Sequence, residues 1–176
     1  MATKITKARQ NGEARADELL SKYNPQQAPV PIREIAISEG CLVNGLVLDD
    51  DLSGMAFVRN GQSVIIFNSA HHPNRQRFTI AHELAHHTMH KSMMLEGVHV
   101  DKGILRRDIS SSMGVDDREV EANAFAATLL MPKSLIIRYA NTSIDMENEQ
   151  VVAQLAKIFG VSSAAFTNRL LNLSLN

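Results

Sequence analysis

A single cysteine in 176 residues excludes an internal disulfide. Cys41 lies in the apolar run Cys41-Leu42-Val43, where a thiol serves as a small buried hydrophobe. Charge of one sign is also missing: 18 Lys and Arg stand against 19 Asp and Glu, for a formal net charge of -1. That balance argues against a general nucleic-acid binder and leaves room only for a local basic face. No run approaches the ~20 apolar residues of a membrane-spanning helix. The basic start Met1-Ala2-Thr3-Lys4-Ile5-Thr6-Lys7 is not followed by the apolar core of a signal peptide, so the expected location is cytoplasmic. The length suits one compact domain with a core of its own.

Histidine, by contrast, is concentrated: all seven fall between His71 and His99, which favours a site over scattered use. Within that stretch, Arg77-Phe78-Thr79-Ile80-Ala81-His82-Glu83-Leu84-Ala85-His86-His87 contains His-Glu-x-x-His. On a helix, residues four apart lie one above the other, so His82 and His86 can reach one metal ion. Helix is the expected state, because Pro73-Asn74 supplies a turn and an N-cap and Phe78, Ala81, Ala85 and Met89 recur at helical spacing. Glu83, one residue past the first imidazole, is placed to take a proton from metal-activated water. That is the arrangement of metal-assisted hydrolysis.

The rest of the chain supplies a scaffold. Residues 1–12 read as a polar, flexible lead, and residues 13–176 as a single domain. A short helix is expected over 13–23, ended by Asn24-Pro25; 26–31 is an extended connector; a second helix covers 32–39 and stops at Gly40. Strand-like runs follow at 42–48, 55–59 and 63–68. Asn60-Gly61 between the last two is a type I′ hairpin signal. If the last of these strands is an edge beside the cleft, it could pair with an extended peptide; an ordinary paired strand is the equal alternative. A short strand is expected near 98–105, and the rest of 91–118 is read as a plain surface loop, with a mobile loop over the site as the other reading. Residues 144–172 form a C-terminal helical hairpin whose spacing touches that of helix-turn-helix units. Arg169 is the only positive charge of its second helix, thin for phosphate binding, so packing on the core is preferred to direct DNA binding.

Catalytic zinc takes three protein ligands and keeps a position open, so a second helix must complete the set. The stretch from Asp116-Asp117-Arg118 to Leu130-Met131-Pro132 suits, with acidic residues at its start and a proline stop. Glu119 and Glu121 point about 200° apart around that helix. Glu119 is preferred as the ligand, with Asn123 one turn on holding the back of a histidine. In the competing reading Glu119 only closes a capping box with Asp116. His90 lies roughly 12 Å along the axis from His82 at ~1.5 Å per residue, too far to share an ion on a straight helix, so a place behind the ligands or on the surface is expected for it. Two imidazoles and a carboxylate suit zinc, with manganese the other option. Tyr139, Arg107 and His99 are the candidates for steadying an oxyanion.

These segments together, with Arg106-Arg107-Asp108, Ser110-Ser111-Ser112 and Glu119-Val120-Glu121-Ala122-Asn123-Ala124-Phe125-Ala126-Ala127, resemble the ImmA/IrrE family of zinc metallopeptidases. The resemblance extends over roughly residues 14–172. It implies a gluzincin-like fold, zinc held by His82, His86 and a glutamate, and Glu83 as general base. It also implies a partner: members are bacterial or phage-associated proteases that cleave or inactivate a helix-turn-helix repressor, switching on mobile-element or stress genes. The expectation is therefore an α/β (α+β) zincin-like domain, its small, mostly antiparallel sheet packed on the His-Glu-x-x-His helix. Its expected action is that of a zinc-dependent endopeptidase hydrolysing a peptide bond in a partner helix-turn-helix transcriptional repressor. The alternatives are a non-proteolytic zinc-binding regulator that acts by binding a repressor, and a DNA-binding protein using the C-terminal hairpin.

Overall fold

The structure is a computed structural model that describes residues 2–92, 99–101, 116–140, 144–146 and 148–174. Helix α1 (Ala2–Tyr23) leads through α2 (Ile32–Ser38) to three strands, β1 (Cys41–Leu46), β2 (Gly54–Arg59) and β3 (Gln62–Asn68). Helix α3 (Pro73–Met89) and strand β4 (His99–Asp101) follow. Four helices complete the described chain: α4 (Asp117–Leu130), α5 (Lys133–Ala140), α6 (Glu149–Phe159) and α7 (Ser163–Ser174).

The strands form one sheet in the order β1-β3-β2-β4. Two of its pairings are antiparallel, β2 with β3 and β2 with β4, and β1 runs parallel to β3. The β2–β3 hairpin closes as expected, with positive φ at both Asn60 (52°) and Gly61 (76°) and Arg59 opposite Gln62. Strand β3 is interior, bonded on both sides, so it offers no edge to a peptide and that expectation is corrected. Alternate residues Cys41 and Val43 of β1 and Gly54 and Ala56 of β2 are buried, the period-2 pattern of strands with one face on a core, whereas Ile65, Ile66, Phe67 and Asn68 of β3 are buried in succession. At the end of β3 the buried Asn68 binds the carbonyls of Leu48, Asp49 and Leu52 and accepts from the N–H groups of Leu48 and Ala70. One side chain thereby shapes the loop before β2 and the turn into α3.

Helix α3 packs on β2 and β3, with α2 beside it and α4 across it. The expected apolar stripe becomes a helix enclosed on all sides, with every residue from Thr79 to His86 buried. Its N-cap is His72, whose Nδ1 accepts from Asn74 N–H at 3.2 Å, and Pro73 takes the first helical position. Asn74, expected as a cap, instead donates to Val161 O at 2.8 Å, tying α3 to the C-terminal hairpin.

Helix α1 begins at Ala2, so the stretch expected as a flexible lead is helical. The physical reason is the size of its buried residues. Ala8, Gly12, Ala16 and Leu19 face inward, and a Cβ added at Gly12 would sit 2.1 Å from Glu121 O. Small side chains thus bring α1 against α4 without the bulky apolar residues that announce a core helix. Phe125, Leu129, Leu84, Phe159 and Phe166 fill the centre between α3, α4 and the C-terminal hairpin. In α7, Arg169 is 5% exposed and donates to Met131 O and Glu13 Oε1, each at 3.3 Å. The only cation of that helix is directed into the protein.

By length and composition, the stretch Asp117–Ala140 is apolar enough to cross a membrane, which amends the expectation that no run comes close. It is two helices, α4 and α5, parted at Met131-Pro132, and 56% of its apolar window is buried inside the protein.

Candidate metal centre

The site is built where α4 crosses α3. His82 and His86, four residues apart on α3, present their Nε2 atoms 3.1 Å from each other. Asp116 caps α4 by accepting from Arg118 N–H at 3.1 Å, which sets the first turn of that helix over the two imidazoles. Glu119 in that turn places Oε2 3.4 Å from His82 Nε2 and Oε1 3.7 Å from His86 Nε2. The Glu119 carboxylate thus faces both histidines.

These spacings can be compared with what a cation demands. With ligand bonds of about 2.0–2.1 Å, two corners of a tetrahedral zinc site lie about 3.3–3.4 Å apart. The three observed separations bracket that figure, and the donor atoms all lie within 4.8 Å of one another. The cluster is therefore compatible with metal binding. His82 and His86 side chains are 4% and 3% exposed against 23% for Glu119, so solvent reaches the cluster from the α4 side. Glu83, next to His82, is fully buried.

The remaining histidines divide by position. His90, at the C-cap of α3, is behind His86: the two Nδ1 atoms are 3.0 Å apart, and His90 Nε2 lies 2.8 Å from Glu121 Oε2. Glu121, the less favoured alternative for the ligand, is thus engaged one histidine further out. Asn123, expected behind a histidine ligand, is exposed, and His90 occupies that place. His87 leaves the cluster for Glu39 O at 3.2 Å; burial pushes its imidazole below the usual range, so it donates as a neutral ring. His71 binds Asp50 O and His72 caps α3.

Of the oxyanion candidates, Tyr139 is committed elsewhere: its hydroxyl accepts from Ala28 N–H at 3.3 Å and its ring stands edge-on to Phe159. Arg107, the His99 side chain, Arg106-Arg107-Asp108 and Ser110-Ser111-Ser112 lie outside the described residues.

The chain matches the family model described as the IrrE N-terminal-like domain, a peptidase family, over residues 44–171. The chain belongs to the IrrE N-terminal-like peptidase family. Its fold is similar to that of a Mycobacterium tuberculosis transcriptional regulator, with a TM-score of 0.57 at 15% identity over 92% of this chain. At that identity the likeness speaks for the fold alone. The chain spans 50% of the length of that regulator. Among curated proteins, none matches. Family and fold together establish an α+β, zincin-like domain of the IrrE type. They point to a metallopeptidase-like domain, with His82, His86 and Glu119 as the group that could hold its cation.

Proposed function

We propose that this IrrE-type domain is a zinc-dependent endopeptidase of the cytoplasm that cleaves a partner protein, a helix-turn-helix transcriptional repressor. The observation that carries the reading is the convergence of His82 Nε2, His86 Nε2 and the Glu119 carboxylate at tetrahedral-edge spacing, beside the buried Glu83. When bound there, zinc supplies Lewis acidity, polarising a carbonyl oxygen and making nearby water easier to deprotonate. Glu83 accepts the proton of the attacking water and delivers it to the departing amine, help worth about 10²–10⁴ in rate. The greater exposure of Glu119 supports approach of the peptide from its side.

Family membership supports the peptidase reading, and the family's association with transcriptional regulation supports the choice of substrate. Direct DNA binding by the C-terminal hairpin is disfavoured, because Arg169 is spent on Glu13 and Met131 O. To test the proposal, wild type and Glu83→Gln are incubated with a repressor encoded beside the gene. The expected result is a cleavage product formed by wild type, suppressed by a zinc chelator and absent with Glu83→Gln, which still binds zinc and the repressor. Relief of repression by Glu83→Gln without cleavage would replace the peptidase with a regulator that works by binding.

A further inference from the structure

We infer that Asn11, Glu121 and His90 form a hydrogen-bonded chain that fixes the tautomer and ring plane of His86, so that helix α1 supports the metal centre. The inference rests on reading His82, His86 and Glu119 as a cation site. Its starting point is a proton count. For neutral His86 to offer the Nε2 lone pair, its proton must sit on Nδ1. His90 Nδ1 lies within hydrogen-bond distance of that atom, at 3.0 Å. His90 must then accept there and carry its own proton on Nε2, which lies 2.8 Å from Glu121 Oε2. The other carboxylate oxygen of Glu121 accepts from Asn11 Nδ2 at 3.0 Å. Every donor in the series meets an acceptor in this one arrangement, and the chain ends on a carboxylate that favours a proton on His90 Nε2.

The backbone is arranged to hold the series. His90 terminates α3 with its N–H on His86 O at 2.9 Å, which keeps its ring one turn behind His86. Glu121 comes from α4, and the close approach of α1 at Gly12 brings Asn11 to it. Three helices therefore meet behind one imidazole. A partner that orients a ligating histidine and raises its basicity affects metal affinity without touching the metal. His90 and Glu121 are accordingly positioning residues.

The test measures zinc affinity of the full chain by competition with a chromophoric chelator and reads the His86 tautomer by nitrogen NMR in the zinc-free protein. Glu121→Leu should weaken zinc binding on the order of 10–100-fold and move the His86 proton from Nδ1 towards Nε2. Glu121→Gln keeps a carbonyl acceptor for His90 and should fall between Glu121→Leu and wild type, and Asn11→Ala should cost less than Glu121→Leu. Those two milder variants keep the test decisive if Glu121→Leu does not fold. Wild-type affinity and an unmoved tautomer in folded Glu121 variants would overturn the inference. Failure of the wild type itself to bind zinc would overturn the site reading beneath it, a distinguishable result.

Discussion

Replacing Gly12 by alanine should destabilise the protein, although the same change in an unobstructed helix stabilises it. Gly12 lies inside α1, and alanine gains about 0.8–1 kcal/mol over glycine from helix propensity alone. Against that, the added Cβ would stand 2.1 Å from Glu121 O, 2.9 Å from Glu121 C and 3.1 Å from Ala124 Cβ. An ordinary close carbon–oxygen approach is about 3.3 Å, so α1 must withdraw by about 1.2 Å or tilt. A gap of that size forfeits a quarter to a half of the dispersion attraction of the atoms that face it, here around Ala8, Ala16 and Leu19. Overpacking of this kind costs about 1–3 kcal/mol, which against the propensity gain leaves a net loss of up to about 2 kcal/mol. For a chain of this length that lowers Tm by up to about 8 °C. Urea denaturation of the zinc-free protein, followed by circular dichroism, measures it. Ala14→Gly at an exposed position of the same helix is the control and should lose about 1 kcal/mol from propensity. A Gly12→Ala protein more stable than wild type would refute the close packing of α1 on α4.

Other expectations follow from single sites. Phe125→Ala, which empties the centre of the core from α4, should cost about 3–5 kcal/mol in the same denaturation. Burial raises the Cys41 thiol to about 12, so iodoacetamide should leave it unmodified at neutral pH until denaturant is added. Rapid alkylation of the native protein would contradict its place on β1. At Glu39, burial pulls the carboxyl pKa upward, but hydrogen bonds from Lys22 and Tyr23 outweigh it and hold the group below its usual range. A lowered folded-state pKa means that its stabilisation is present above the ordinary value of 4.5 and fades as pH falls below it. Lys22→Met should flatten that acid limb of stability, and an unchanged limb would show that the pair does not contribute.

What could be read from the chain beforehand was what local chemistry dictates. His-Glu-x-x-His, the Asn60-Gly61 turn and the proline after Met131 each act within a few residues, and the helices and hairpin they foretell are present. Helical geometry says only that one of Glu119 and Glu121, some 200° apart, can face α3's paired imidazoles; the preference for Glu119 rests on Asn123 as the support of a histidine, and Asn123 is exposed. Features made by distant pairing were not legible. The parallel β1–β3 ladder puts β3 in the interior, and nothing within β3 distinguishes a central strand from an edge. Contact by Ala8 and Gly12 leaves no apolar periodicity, so the start of α1 passed for a polar lead. A supporting or surface place for His90 is legible from its distance along the helix, but its pairing with Glu121, 31 residues away, is not, and Asn123, expected behind a histidine ligand, is exposed.

The central claim is that His82, His86 and Glu119 bind one divalent cation. Titration of the metal-free full chain with zinc, followed by calorimetry, tests it most directly. Wild type and Glu83→Gln should each bind a single zinc ion tightly, and Glu119→Ala should lose most of that affinity while Asn123→Ala keeps it. A wild type that takes up no zinc, or a Glu119→Ala protein that binds as wild type does, would contradict the account.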